Sequence, residues 1–246
     1  MSRIQELPAA LQPDLSVPRA KRRAAVSLPA RLVELLAPLR SPPPPPRRWV
    51  GLSIAILTIG TIAMVALMVA GYLHHGWPAY YLQDHQPGTW LSAGCLALAG
   101  LVSLATARRC LQRAGRRFWI LAAATLFLAT ADDLFRLHEH LDLAIHAYFH
   151  ADPKHPVTSH IDNVVIACYG IVALYYVRRR KEQILHLPWT AYALGIAFVL
   201  FVAMMILDFA DRMMSLEDTF KTYSIFFILI GCLAAYMSHK SAGDPG

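Results

Sequence analysis

Residues 50–73 form a run of 24 without a single charge. At about 1.5 Å of rise per residue, a helix of that length crosses a hydrocarbon layer of about 30 Å. Within hydrocarbon only a helix or a closed barrel satisfies its own backbone polar groups, so the run dictates a spanning helix. Further apolar runs follow at 90–107, 118–131, 164–177, 189–207 and 223–237. The third and fourth are short and must draw in flanking residues, which for the third are acids. The chain therefore reads as an all-α integral membrane bundle of six helices. The expected spans are 50–73, 90–107, 118–137, 162–177, 189–209 and 219–237, inside a domain 49–239. A hydrophobic share of 56% excludes an ordinary soluble domain.

Lysine and arginine set the expected orientation. Nine lie in 1–48, five in 108–117, four in 178–187, and Lys240 lies in the C-terminal tail 240–246. Only Arg136, Lys154, Arg212 and Lys221 fall on the other side. The positive-inside bias places both termini in the cytoplasm of a multi-pass cell-membrane protein, with a bacterial inner membrane as the expected location. Trp49, Trp77, Trp90, Trp119 and Trp189 fall near span boundaries, where interfacial anchors belong.

Residues 1–48 are rich in Pro, Arg and Ala and carry no core pattern, so a disordered basic tail is expected. Leu32, Leu35, Leu36 and Leu39 share one stripe of a possible amphipathic helix at 30–40, and 42–46 reads as a stiff polyproline spacer. The first apolar run begins too late and runs too long for a signal peptide. The tail supplies most of the net charge of +7. Its expected partners are anionic lipid head groups, with membrane lipids around the spans. Nucleic acid is not expected as a partner, because the basic stretch has no accompanying fold or stacking aromatics. Cys95, Cys168 and Cys232 fall inside spans and Cys110 in a cytoplasmic loop, positions that suit apolar packing rather than disulfides or thiolate metal sites.

Nine of the eleven histidines and eleven of the sixteen acids fall on the outward side. The densest stretch is Asp132-Asp133-Leu134-Phe135-Arg136-Leu137-His138-Glu139-His140. On one continuous helix, running to about Phe149, Asp132, Arg136 and Glu139 would share a face, and Asp133, Arg136 and His140 a second. His138, Asp142, His146 and His150 follow at i+4 steps. A solvated surface is the simpler reading of that ladder, and two histidines at this spacing sharing a metal is the functional one. His74, His75, His85 and His155 read as loop residues. Asp208 and Asp211 close the fifth span, and Glu217 and Asp218 open the sixth with Lys221 in pairing range.

Ionisable groups at bilayer depth mark a functional site by default. Carboxylate and imidazole ligands without thiolates suit a divalent ion such as zinc, with an open position for a water made nucleophilic. That chemistry gives Asp132, Asp133, His138, Glu139, Asp208 and Asp211 as candidate catalytic residues. Asp132, His138, Glu139, Asp208 and Glu217 are the candidate ligands. The reaction would be metal-dependent hydrolysis of a lipid or amphiphile. The alternative is a non-enzymatic binding, assembly or transport component whose cluster is structural or proton-carrying. A haem carrier is disfavoured because nearly every histidine lies outside the spans. A transporter lacks broken-helix Gly/Pro pairs.

The acidic pair followed by Leu137-His138-Glu139, with Glu217-Asp218 opening the last span, resembles an uncharacterised family of multi-spanning bacterial membrane proteins. The resemblance covers roughly 118–237 and implies no activity. A more distant similarity is to membrane-embedded zinc hydrolases related to alkaline ceramidases. This chain departs from them in having six expected spans rather than seven, and no histidine in the last span before His239.

Overall fold

The structure, a computed structural model, describes residues 42, 44–82, 86–149, 161–209 and 214–241. All of them lie in the larger of the two units into which the chain divides, Leu36–Gly246. The amphipathic helix expected at 30–40 and the rest of 1–40 lie outside the described residues.

Every regular element among the described residues is helical. In chain order they are α1 (Arg47–His75), a 3₁₀ turn (Tyr80–Leu82), α2 (Pro87–Arg109), α3 (Arg113–Phe135), α4 (Leu137–Phe149), α5 (Ile161–Arg179), α6 (Glu182–Leu185), α7 (Pro188–Phe209) and α8 (Met214–Ser241). Five segments are long and apolar enough to cross a membrane: Arg47–His75, Tyr80–Arg109, Arg113–Phe135, Pro188–Leu207 and Leu216–His239. The chain is an all-α membrane bundle. α5, a helix of 19 residues, stands where the fourth of six spans is expected.

Two helix ends differ from expectation. Pro46 has the extended angles of a polyproline residue (φ −57°, ψ 131°), and α1 begins immediately after it at Arg47, inside the stretch assigned to the tail. At its other end α1 runs on through His74 and His75, which are helical rather than loop residues. Gly76 stops it with a left-handed φ of 71°, donating its N–H to the Tyr72 carbonyl at 2.9 Å. The His75 ring then stacks on Tyr80 at 3.6 Å.

α8 is the most enclosed span and α1 the least. α7 and α8 make one extensive pair, α2 and α3 another, and α2 joins the two by packing on α8. The buried stripe of α2 is Thr89, Ser92, Ala93, Leu96, Ala99, Gly100, Ser103, Thr106 and Ala107, spaced three and four apart. Small residues on a helix face let neighbouring backbones approach, which matters in lipid because apolar burial no longer drives association. Hydroxyls on this stripe find local or cross-helix acceptors: Thr106 donates to Val102 O at 2.8 Å and Ser103 to Cys232 Sγ at 3.3 Å. The core centres on Ala99, Phe118, Trp119, Ile184, Leu229, Cys232 and Ala235.

Trp119 is only 2% exposed and stands edge-on to Phe118, so it is a packing residue rather than an interfacial anchor. Trp90, 68% exposed, fits the anchor role. α1 turns Ile59, Ile62, Val65, Val69 and Leu73 outward, an apolar face suited to lipid.

α1 meets α8 through a hydroxyl contact, Thr61 Oγ1 to Tyr223 OH at 2.7 Å, and through Gly60. A Cβ at Gly60 would stand 2.4 Å from the Phe226 ring, which is 1% exposed and has no room to withdraw. Gly60→Ala is therefore expected to destabilise by about 1–3 kcal/mol despite the better helix propensity of alanine. Gly51→Ala, with nothing within 4 Å of the added atom, serves as its neutral control. Thermal unfolding of both variants in one detergent checks this, and equal midpoints would contradict it.

Candidate functional site

α3 does not continue unbroken through the acidic stretch. It ends at Phe135, and Arg136 takes a left-handed φ of 52° before α4 starts at Leu137. An L-residue there costs roughly 1 kcal/mol or more, which is why glycine usually fills such a cap. Local bonds offset that cost. The Arg136 N–H reaches Asp132 O at 2.7 Å, the Arg136 carbonyl accepts from His140 N at 3.0 Å, and the guanidinium bonds the Glu139 carboxylate. The break removes the common faces expected of one continuous helix and sorts the charged groups into separate pairs.

Asp132 serves the start of α4. Its Oδ1 accepts the backbone N–H of His138 at 2.8 Å, capping one of the donors that a helix N-terminus leaves without an internal partner. Its Oδ2 lies 3.0 Å from His138 Nδ1. One carboxylate thus holds both the backbone and the ring of His138. The His138 Nε2 stands 4.0 Å from Glu139 Oε1. The bond to Asp132 raises the His138 pKa above its ordinary value, against burial, which pulls it down; the Asp132 and Glu139 charges add to the rise and Lys221 opposes it.

Asp133 serves the bundle. It is 9% exposed and pairs through Oδ1 with Lys221 Nζ of α8 at 2.7 Å. Its Oδ2 takes a hydrogen bond from the Ser92 hydroxyl of α2. Ser92 also lies 3.0 Å from the Thr89 carbonyl, so a single hydroxyl hydrogen has two acceptors in reach. Three helices meet on one carboxylate. Ser92 carries no signal in the sequence, being one hydroxyl in an apolar span, and Lys221 reads locally as a partner for Glu217 and Asp218.

Of the remaining candidates, Glu217 lies in the first turn of α8, one turn before Lys221, and Asp208 lies in the last turn of α7. The Asp208 side chain and all of Asp211 lie outside the described residues, as do His150, His155 and His160. The histidine ladder is not uniformly solvated. His146 is 6% exposed, with Nδ1 at 3.1 Å from Asp142 Oδ1 and 3.0 Å from Asp142 O. Among the described residues no three His, Cys, Asp or Glu side chains form a group that could hold a metal ion. Asp132, the residue nearest to completing one with His138 and Glu139, already spends its oxygens on the His138 N–H and Nδ1.

The family described as a domain of unknown function, DUF8692, matches residues 49–235. The chain belongs to that family. The match takes in the acidic end and leaves out the basic tail 1–48, so it meets the expectation of an uncharacterised family. No curated protein and no solved structure matches the chain.

The raised His138 pKa makes a signed statement about pH. Its stabilisation is complete below the unfolded histidine value near 6.5 and is lost as pH rises through the higher folded value. Thermal stability in detergent is expected to fall across that interval, from about pH 6.5 upward. Asp132→Asn keeps an oxygen for the His138 N–H but removes the charge, so it should flatten the slope. An unaltered slope in Asp132→Asn would show that another group carries it.

Proposed function

We propose that this protein is a non-enzymatic, multi-pass component of a cell membrane. Its termini are cytoplasmic, and its outward acidic end fastens the helices while His138 exchanges a proton. The observation that carries this reading is the Asp133 carboxylate, bonded at once to Ser92 of α2 and Lys221 of α8. A buried carboxylate shared by three helices fixes their relative register, since sliding any one of them leaves a charge unpaired in a poor solvent. The Asp132–His138 pair supports the proton role: the Asp132 carboxylate holds the His138 pKa above its ordinary value, and the position of the pair at a helix junction couples protonation to the α3–α4 break.

Asp133→Asn and Lys221→Met should each cost about 1–3 kcal/mol of stability, below the figure for a fully buried pair because Lys221 is partly exposed. The double variant should cost less than the sum of the two. Additive losses in a double-mutant cycle would remove the pair as a fastener. Unchanged stability together with a lost cellular phenotype would favour chemistry over fastening.

A second reading rests on how His138 is held. A carboxylate on Nδ1 fixes the tautomer that presents Nε2 as a metal ligand, the usual outer-shell arrangement of ligating histidines. With Glu139 beside it, a zinc-like ion at His138 would activate water against a lipid or amphiphile. Mass spectrometry of the protein purified in detergent should then find about one metal ion per chain, lost in Asp132→Ala and His138→Ala. Sub-stoichiometric metal indifferent to both changes ends this reading.

A further inference from the structure

The opposite end of the bundle carries a charge that nothing in the described protein neutralises. Two connections meet there, residues 108–117 between α2 and α3 and residues 178–187 around α6. They are held side by side: the rings of Phe118 and Tyr176 stack at 5.7 Å with planes 5° apart. Gly115 sits so close to the Gln183 amide that a Cβ would stand 2.9 Å from its oxygen. Between them the connections hold five arginines in 108–117, then Arg178, Arg179, Arg180 and Lys181, against one acid, Glu182. All nine basic side chains are exposed. Among the described residues none of them has a carboxylate partner; Arg109 lies over the Tyr236 ring at 4.1 Å.

Membrane topology accounts for positive charge at this end but is indifferent between lysine and arginine. Eight of these nine residues are arginine. A guanidinium presents a planar fork that matches two phosphate oxygens at once, whereas an ammonium acts as a point charge. Leu111, in the middle of the first connection, is 100% exposed, an apolar side chain offered to its surroundings among arginines. Guanidiniums beside an exposed leucine at the end of a spanning helix complement a phosphate beside acyl chains.

We propose that residues 108–117 and 178–181 form a binding site for the phosphate of anionic phospholipids in the adjacent leaflet, with Leu111 seated at the acyl boundary. The site is separate from the acidic end and does not depend on the role assigned to it.

The test uses the full chain purified in a neutral detergent, titrated with phosphatidylglycerol or phosphatidylcholine and read by native mass spectrometry. Phosphatidylglycerol should be retained and phosphatidylcholine not. Arg113→Lys/Arg116→Lys/Arg117→Lys keeps every charge and the topology, yet should weaken retention about three- to tenfold through loss of the bidentate contacts. Arg178→Lys/Arg179→Lys/Arg180→Lys should act in the same direction. Leu111→Ser should weaken phosphatidylglycerol retention as well. Melting midpoints equal to the parent protein establish that the exposed changes leave the fold intact, and either triple variant suffices if the other melts early. Equal retention of the two lipids, or full retention by both lysine variants, overturns the proposal. Displacement of phosphatidylglycerol by millimolar inorganic phosphate would make this a soluble-anion site and overturn the lipid assignment.

Discussion

A carboxylate at the end of an apolar helix is the constraint around which this bundle is arranged. Asp133 sits where α3 leaves its apolar stretch, in surroundings where an unpaired charge is costly. Its two oxygens are met from different helices, by Ser92 and by Lys221. Those partners can reach it only if Ser92, in the second turn of α2, and Lys221, about two turns into α8, lie at the same depth as the last turn of α3. The small-residue stripe of α2 permits that approach without dictating register, because alanine, glycine and serine faces slide past one another at little cost. Packing brings the helices close, and the charge selects where along their length they stop.

The break at Arg136 gives the neighbouring acid a different task. On an unbroken helix Asp132, Arg136 and Glu139 would line one face and neutralise each other. With Arg136 in the left-handed region, α4 begins as a new helix whose exposed N–H groups need acceptors. Asp132 supplies one from the preceding helix and holds the His138 ring with its other oxygen. Two adjacent aspartates, alike in sequence, therefore differ in role: Asp133 joins separate helices, and Asp132 joins a helix to its own continuation. Protonation of His138 acts on that junction, while the Asp133 contacts lie on other helices.

The helical class and the five long apolar helices were legible because hydrocarbon leaves the backbone few choices, and long uncharged runs have no other use. The acidic end was legible as a location for the same reason. Its pairings were not. Helical spacing assigns partners along one chain segment, so it offers Glu217 and Asp218 to Lys221 and gives no sign of the ion pair that crosses to Asp133. The Arg136 break was hidden because the sequence offers no glycine or proline there, and the conformation is held by bonds that exist only once Asp132 and Glu139 are in place. Trp119 read as an anchor from its position near a span boundary. The approach of α5, α6 and α8 to the start of α3 encloses it instead, a tertiary effect that periodicity does not register.

The two ends of the bundle treat charge in opposite ways, and the difference follows from what each must do. At the acidic end the ionised groups of Asp132, Asp133, Arg136 and Glu139 are bonded within the protein, with hydroxyls, a lysine and helix N-termini completing the set. At the basic end the guanidiniums are displayed on connections stiffened by Phe118 against Tyr176, and no carboxylate of the described residues answers them. Leaving them unpaired is inexpensive only where water or an anionic surface supplies the counter-charge. Internal pairing therefore sets helix register at one end, and at the other the surplus of arginine over acid directs the protein toward phosphate.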